Sequence, residues 1–429
     1  MATTVDGLVS GMSTSTMINQ LMQIEAAPQT RLKTKVSDAQ SVVTSYQSIN
    51  TKLAALKTAA DDLSRPSTWR SIKPTSSSTA VTATATPGVT STQTGNLTFD
   101  VVKLAKAQIT TARVDSEAPI TSSDAFTITM SDGSDPTVID LAGKRTAQGV
   151  ADAINSAGIG VKASLVKTST GDSVLQLTGT KTGAANGFVL DGVDFTTKNA
   201  VEAQDAILQV GGAEETGGYS VTSSTNTFTN LMAGVTLTAT KEETGVTVDV
   251  ATDASGIADK IKAMVDAANA VLSEVTKQTK VDAATGKGSA LTGDFMVRQI
   301  SQSVLSAVSQ GQAGIGSLSK LGVQLEKDGT LSFKAENFKS SYAADPDKFQ
   351  AAGITMGDAF QAVAKKQTDN LTSAVTGRRN IIDSMNDQID NWDTRLEARR
   401  SALTKQYASL ETALSNLRSQ SSYLSSQLG

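Results

Sequence analysis

The sequence predicts an α+β fold with several domains, in which long helices near both ends enclose a β-rich middle. Apolar residues recur every three or four positions in both terminal regions, and every second position between them. The chain has 429 residues, enough for about two to four domains. Only 4% of the residues are aromatic, which favours several thin hydrophobic cores over one thick core.

The N-terminal region predicts a helix that continues as far as Pro66. Its apolar side chains follow a near-heptad spacing, as expected for an amphipathic helix. Pro28 either occupies the first turn of this helix or separates it from the segment 17–24. The apolar stripe consists of Leu32, Val36, Ala39, Val43, Tyr46, Ile49, Leu53, Leu56, Ala60 and Leu63.

The C-terminal region carries a longer stripe of the same kind. It is interrupted only at Arg399 or Arg400 and at Ser421. No proline or glycine occurs between Arg378 and Leu428, and a helix of that length would reach about 75 Å. Such a pattern is typical of a coiled coil or a long bundle helix. The stripe consists of Ile382, Met385, Ile389, Trp392, Leu396, Leu403, Tyr407, Leu410, Leu414, Leu417, Leu424 and Leu428.

Neither terminal stripe can bury itself alone, so the helices near the two ends are expected to pair. The β-rich middle is then inserted at one end of the paired helices. Two interpretations of the C-terminal stripe remain open. It is either a seam within a single chain, or, because many polar residues flank it, a surface that is completed on assembly.

The middle of the chain alternates apolar residues with Thr, Ser or charged residues, which predicts strands with one solvent-facing side. One helix is expected within this region, at Thr146–Ala157. The predicted strands are Val81–Thr86, Asn96–Leu104, Phe126–Met130, Lys162–Val166, Val174–Thr180, Ala206–Gly212, Val235–Thr240 and Val246–Asp253.

Helical spacing returns after Asp253. One stripe runs from Ile257 to Val275, and a second comprises Phe295, Ile300, Val304 and Val308. Beyond them, the pair Asp328-Gly329 lies between two alternating runs and predicts a β-hairpin with a two-residue loop.

Composition excludes much of the chemistry that enzymes use. The chain has no Cys and no His, so disulfides, zinc sites of the usual kind and catalysis based on histidine or cysteine are not expected. The net charge of -4 argues against a nucleic-acid partner. No long apolar segment predicts membrane insertion, and no conventional signal peptide is expected. The sequence therefore predicts no catalytic, cofactor or metal site.

An ordered set of segments resembles the flagellar filament cap family, also called hook-associated protein 2 or FliD. Asp6–Leu32 resembles the opening motif, although Val9 and Met12 replace the more usual Gly and Leu or Ile. Asn96–Ile109 is similar to a strand that ends in the pattern V-x-x-L-A-x-x-Q. The remaining similar segments are Thr146–Gly183, Asn230–Thr240, Leu291–Ile300, Leu321–Phe333 and the C-terminal stripe.

The resemblance implies four structural parts. Residues 1–40 and 392–429 would form a terminal coiled-coil segment, and residues 41–73 and 256–391 a helical leg domain. Two nested β-rich domains would be inserted between the helical ends. The first comprises residues 74–112 and 199–255, and the second is an inserted tip domain at 113–198.

The resemblance also implies a structural function with no cofactor. About five copies would form a ring at the tip of the bacterial flagellum and promote folding and insertion of exported flagellin. It further implies an extracellular location, export by the flagellar type III pathway, and a chaperone for the C-terminal helix. The assembly surface is then assigned to the C-terminal stripe together with Ile18, Leu21 and Met22.

Three alternative functions are weighed against a filament cap. The β-rich domains could bind a host glycan or mucin, which would make the protein an adhesin. The chain could be another flagellar axial protein, such as flagellin or a junction protein, although the opening motif and the nested insertion favour the cap. An enzyme is disfavoured by the absence of His and Cys.

Overall fold

The computed structural model describes residues 13–86, 94–168, 171–309 and 316–428. It confirms the α+β fold class with several domains and long terminal helices. The chain divides into two compact units. A helical unit comprises residues 1–66 and 258–429, and a β-rich unit comprises residues 67–257.

The described helices are α1 Thr14–Glu25, α2 Ala27–Ser64, α3 Pro66–Trp69, α4 Ala147–Ala157, α5 Ala254–Thr279, α6 Phe295–Ser309, α7 Ala335–Ala344 and α8 Pro346–Leu428. Pro28 lies in the first turn of α2, where its missing N–H is not needed. Helix α8 begins well before the stripe predicted from the sequence and is 83 residues long.

The core of the helical unit forms where α2 packs against α8. Leu53 and Leu56 of α2 are fully buried, as are Met356 and Phe360 of α8. Gly357 allows this close packing, because an added Cβ would lie 2.9 Å from the carbonyl oxygen of Ala60 in α2. A glycine inside a helix is unfavourable by itself, so the approach of the two backbones explains its presence here.

Helix α6 differs from the sequence prediction at its first residue. Phe295 was assigned to the apolar stripe, but its side chain is 71% exposed. Val297 is fully buried instead, together with Ile300 and Val304. Phe295 is the first residue of the helix, so the stripe on the buried face starts two residues later.

The predicted hairpin near Asp328 is present, but its loop is longer than two residues. Strands β16 and β17 pair from Val323 opposite Phe333 to Leu325 opposite Leu331. The N–H of Glu326 then donates to the carbonyl oxygen of Thr330 at 2.8 Å. Gly329 has a φ of 82°, so it supplies a single left-handed position in a three-residue loop.

The described strands are β1 Ile72–Ser76, β2 Val81–Ala85, β3 Gly95–Lys103, β4 Ile109–Asp115, β5 Ala125–Met130, β6 Thr137–Asp140, β7 Val161–Lys167, β8 Asp172–Gly179, β9 Phe188–Asp191, β10 Lys198–Val201, β11 Ala206–Val210, β12 Tyr219–Ser223, β13 Thr227–Met232, β14 Val235–Ala239, β15 Glu243–Thr252, β16 Val323–Leu325 and β17 Leu331–Phe333. All pairings within the described sheets are antiparallel.

The β-rich unit contains two hydrophobic cores. The first lies between the five-stranded sheet β1-β15-β3-β11-β12 and the three-stranded sheet β13-β14-β2, with Phe99 and Phe228 among its buried residues. The second is enclosed by the four-stranded sheet β10-β4-β8-β7, the three-stranded sheet β6-β5-β9 and helix α4. Strands β1, β4, β6, β9, β10, β12 and β13 are not predicted from the sequence.

Helix α4 is delimited by its own capping residues. The hydroxyl oxygen of Thr146 accepts a hydrogen bond from the N–H of Gly149, and Gly158 ends the helix in the left-handed conformation with φ 65°. The predicted helix at Thr146–Ala157 is therefore present, with Thr146 as its N-cap. Its buried face, which includes Val150 and Ile154, completes the second core.

A buried glutamine joins three strands at the edge of this second core. Gln108 is 5% exposed. Its amide group donates to the carbonyl oxygen of Phe188 at 2.6 Å and accepts from the Phe188 N–H at 3.0 Å. It also donates to Thr110, whose hydroxyl donates to Asn199. These bonds tie β4 to β9 and β10.

Candidate assembly surface on the terminal helices

Helices α1 and α2 run antiparallel to α8. Near the end of α2, the side chain of Gln361 donates to Asp61 at 2.7 Å. In α1, Asn19 accepts a hydrogen bond from the guanidinium group of Arg400 at 2.7 Å. As residue numbers rise along α1 and α2, the numbers of their partners in α8 fall. The predicted pairing of the helices near the two ends is therefore observed.

The residues predicted for the assembly surface differ widely in exposure. Those that are buried are Ile18, Ile382, Ile389 and Leu403. Those that are half-buried are Met22, Met385, Trp392, Leu396, Tyr407 and Leu414. Those that are exposed are Leu21, Leu410, Leu417 and Leu424. The side chain of Leu428 lies outside the described residues, as does the opening motif up to Met12.

Exposure rises sharply along the stripe beyond Leu403. Ile389 and Leu403 are 9% and 7% exposed, whereas Leu410, Leu417 and Leu424 are 44%, 60% and 59% exposed. The last four of these residues follow one another at heptad spacing, so they lie on the same face of α8. One face of the helix thus changes from a packed seam to a solvent-exposed apolar stripe.

A buried polar contact fixes the alignment of α2 with α8. Gln29 is 5% exposed, and its amide donates to Asp393 at 2.5 Å and to the carbonyl oxygen of Ile389 at 3.4 Å. A buried amide without partners would be costly, and sliding the helices past each other would remove both acceptors. The contact therefore favours one register.

The structure explains why Arg399 interrupts the apolar stripe. Its Nε donates to Glu25 of α1 at 3.2 Å. A second cation, Arg395, lies 4.8 Å from the ring centre of Trp392, within the range of a cation–π contact. Both contacts lie on the surface, where their contribution to stability is small and salt-dependent. Only the contact of Arg399 with Glu25 joins α8 to α1, so it helps to specify where α1 docks.

Sequence reasoning missed the polar residues that position these helices. Gln29 follows directly on the Ala-Pro pair of the opening motif, and Glu25 is the acidic residue before it. Their partners, Asp393 and Arg399, are more than three hundred positions away in the chain. Only the pairing of the two ends reveals that these residues contact each other.

A second polar contact joins α2 to the start of α6. Tyr46 is 3% exposed, and its hydroxyl donates to Asp294 Oδ2 at 2.5 Å. Asp294 Oδ1 accepts from the N–H groups of Met296 and Val297, as an N-cap does. Burial, then the hydrogen bond and the charge of Asp294, raise the pKa of Tyr46 to about 12, and Arg378 partly opposes this.

The arrangement of these helices suits packing and docking. Among the described residues, no group of three or more Asp or Glu side chains could hold a metal ion. None of the described helices is both long enough and apolar enough to cross a membrane.

Comparison with known proteins identifies the family. The chain matches the flagellar hook-associated protein 2 N-terminus at residues 10–108 and the flagellar hook-associated protein 2 C-terminus at residues 203–419. Between them, residues 125–181 match the flagellin hook IN motif. The chain belongs to the flagellar hook-associated protein 2 family. The family predicted from the sequence motifs is thus confirmed.

Relatives from two bacteria align over almost the whole chain. A flagellar hook-associated protein 2 of Escherichia coli strain K12 is 27% identical and covers 98% of this chain and 97% of its own length. An A-type flagellar hook-associated protein 2 of Pseudomonas aeruginosa is 25% identical, covering 97% of this chain and 95% of its own.

A solved structure shares the fold. The crystal structure of the D1-D2-D3 domains of the flagellar cap protein FliD from Escherichia coli has a TM-score of 0.62 and 25% sequence identity. The match covers 78% of this chain and 99% of that one. Members of the family are structural proteins that cap the flagellar filament, and the family is not one of enzymes. These likenesses do not support the adhesin alternative.

Proposed function

We propose that this chain caps the distal end of the filament as a ring of about five copies. The ring retains each exported flagellin at the filament tip, where the flagellin folds and inserts beneath it. Its location is extracellular, at the tip of the flagellum. Membership of the hook-associated protein 2 family supports this function.

The exposed end of the apolar stripe is the observation that carries the assembly role. Leu410, Leu417 and Leu424 present one apolar face, although the same face is buried at Leu403. Exposed leucines at heptad spacing are typical of a helix that gains a partner on assembly. We assign this surface to contacts made at the filament tip.

The proposed division of labour follows the four parts implied by the resemblance. Residues 1–40 and 392–429 dock at the tip, and residues 41–73 with 256–391 form the leg. Residues 74–112 with 199–255 and the inserted domain at 113–198 form a plate. The two separate hydrophobic cores within residues 67–257 support a plate built from two domains.

Export is proposed to follow the flagellar type III pathway, with the chain passing through the channel unfolded. A chain with no cysteine cannot be blocked by disulfides during this passage. A chaperone that covers the exposed stripe of α8 before export would prevent premature association. The exposure of Leu410 and Leu417 supports such a partner.

The test is rescue of a bacterial strain that lacks its own filament cap. The wild-type chain should restore filaments, whereas Leu410→Ala combined with Leu417→Ala should not, and flagellin should appear as monomer in the medium. Burying a leucine completely is worth about 1.5–3 kcal/mol. Roughly half of each side chain remains to be buried, so the double variant should dock about 30-fold more weakly.

Ile381→Ala is the matched control. Ile381 is 50% exposed on the same helix but precedes the stripe residue Ile382. This variant should restore filaments as the wild type does. Wild-type filament length from the double variant, at equal export, would refute the assignment of the stripe to assembly.

A further inference from the structure

The inserted domain has two outer sheet faces that point away from a common core. The inner faces of the sheets β10-β4-β8-β7 and β6-β5-β9 both contribute buried residues to the second core, together with α4. Side chains alternate along a strand, so residues next to the inward-facing ones point outward. The two outward faces differ in charge.

The outward face of the four-stranded sheet is basic. Arg113 of β4, Lys162 of β7 and Lys198 of β10 are all exposed on it. Val174 lies opposite both Arg113 and Val166, and Val166 is 49% exposed. We call Arg113, Lys162, Lys198, Val166 and Val174 the basic face.

The outward face of the three-stranded sheet is acidic. Asp140 of β6 and Asp191 of β9 are exposed on it, and Thr127 of β5 lies opposite Asp191 and Val138. Val138 and Val189 lie on the same side and are 65% and 57% exposed. We call Asp140, Asp191, Val138, Val189 and Thr127 the acidic face.

No ion pair between the described residues neutralises either face. The charged residues of both faces are absent from the ion pairs between the described residues. Opposite charges lie near one end of each face. Asp115 and Asp172 lie opposite each other two positions from Arg113 and Val174, so they are on the same outward side of the four-stranded sheet, and Lys144 lines a groove beside Asp140. Arg113, Lys162 and Lys198 still outnumber these two carboxylates, so the net charges of the two outward sides keep opposite signs.

The geometry points to contact between the basic face of one copy of this chain and the acidic face of the next. We propose this contact as one of the interfaces of the ring, so the inference rests on the proposed function. Each face combines valines that reach the surface with a net charge opposite to that of the other face, so the pairing covers apolar surface and matches charge. Two different patches that meet in this way form a head-to-tail interface, which closes into a ring.

The size of the faces indicates a weak contact. Three strands about 4.8 Å apart and about 15 Å long cover roughly 200 Å². A stable interface buries about 800 Å² on each partner. The contact would therefore be reversible in solution and would act together with other contacts in the ring. Reversibility suits a cap that must shift as each flagellin subunit is inserted.

Cysteine cross-linking tests the contact directly, because the chain has no cysteine of its own. The full chain carrying Val138→Cys and Val166→Cys should form a ladder of disulfide-linked oligomers under mild oxidation. The two cysteines cannot join within one chain, since the core separates them. Each single variant should remain monomeric, because only one side of the contact then carries a thiol.

The matched control combines Val138→Cys with Val102→Cys. Val102 is 45% exposed on β3, outside the inserted domain. This control should give no ladder. Absence of a ladder from Val138→Cys with Val166→Cys, an equal ladder from the control, or dimers from either single variant would overturn the proposal.

Charge reversal gives an independent test by sedimentation velocity. Arg113→Glu with Lys198→Glu makes both faces acidic, and Asp140→Lys with Asp191→Lys makes both basic. Each pair should weaken self-association about tenfold at 0.1 M salt, and much less at 1 M, where the screening length falls from about 10 Å to about 3 Å. All four changes in one chain, or an equal mixture of the two variants, should restore association.

Lys73→Glu with Lys241→Glu is the control for net charge, since both lysines are exposed outside the inserted domain. It should associate as the wild type does. The proposed contact between copies is refuted if the face variants also self-associate as the wild type does. It is equally refuted if they lose only their binding to filaments. A wild-type chain that remains monomeric at millimolar concentration and low salt would also overturn it.

Filament rescue separates this proposal from the proposed function. If the wild type fails to restore filaments in the cap-deficient strain, the proposed function fails, whatever the cross-links show. If the wild type restores filaments but the cross-links and charge reversals behave like their controls, only the contact between the faces is refuted.

Discussion

Replacing Tyr46 by Phe tests the polar contact between α2 and the start of α6. The Tyr46 hydroxyl donates to Asp294 Oδ2 while Oδ1 of the same carboxylate caps α6. At neutral pH, Tyr46→Phe should destabilise the helical unit by about 1–2 kcal/mol, because a charged acceptor loses one of its donors. Asp294 keeps its backbone donors, so α6 should still form.

The pH dependence of this contact has a definite sign and size. The pKa of Tyr46 is raised from 10.0 to about 12, so the folded chain holds the phenol proton more tightly than the unfolded chain. Below pH 10 the contribution is complete. It is lost as the pH rises from about 10 to about 12, because Tyr46 ionises at a lower pH in the unfolded chain than in the folded chain. Two pH units correspond to about 3 kcal/mol.

Urea unfolding followed by circular dichroism between about pH 9 and pH 12 measures this loss. The wild type should lose stability over that range by about 2 kcal/mol more than Tyr46→Phe does, because the loss is not yet complete at pH 12. Burial and the charge of Asp347 also raise the pKa of Tyr342, so Tyr342→Phe is the control that should retain the step due to Tyr46. An identical pH profile for the wild type and Tyr46→Phe would refute the reasoning.

Two further substitutions separate the roles of individual residues. Leu403→Ala should destabilise the docking of α1 by about 2 kcal/mol or more, because this side chain is 7% exposed, and hydrogen exchange of the α1 amides should accelerate. Leu424→Ala, at 59% exposure, should leave those rates unchanged in the free chain, and equal effects would contradict the prediction. Gln108→Ala should destabilise the β-rich unit by about 2–5 kcal/mol in urea unfolding, since the N–H and carbonyl groups of Phe188 lose their partner. Gln176→Ala, at a half-buried position, should cost much less, and equal midpoints for the two variants would contradict the role of Gln108.

Periodicity in the sequence predicted the long helices because each has a continuous apolar face. The stripe of α2 ends at Pro66 as expected, and Ile49, Leu53 and Leu63 are fully buried. Periodicity failed to predict strands whose pattern is short or mixed. Strand β1 contains Pro74, and strand β10 is a short polar segment, Lys198–Val201. Such strands form because neighbouring strands supply their hydrogen bonds, which no local pattern reveals.

The candidate assembly surface was only partly predictable. Heptad spacing places Leu403, Leu410, Leu417 and Leu424 on one face, and the sequence alone gives that result. Spacing cannot indicate that the first is buried and the other three are exposed. That difference depends on where α1 packs along α8, near the contact of Asn19 with Arg400.

By itself, the sequence determined the fold class, the family and the absence of cysteine and histidine chemistry, because these depend on composition, on local period and on the order of motifs. Tertiary structure alone decided which distant side chains meet. Three such pairs are far apart in sequence, namely Gln29 with Asp393, Tyr46 with Asp294, and Gln108 with Phe188. Their hydrogen bonds exist only once the apolar faces have packed, since burial both brings these groups together and makes an unpaired polar group costly.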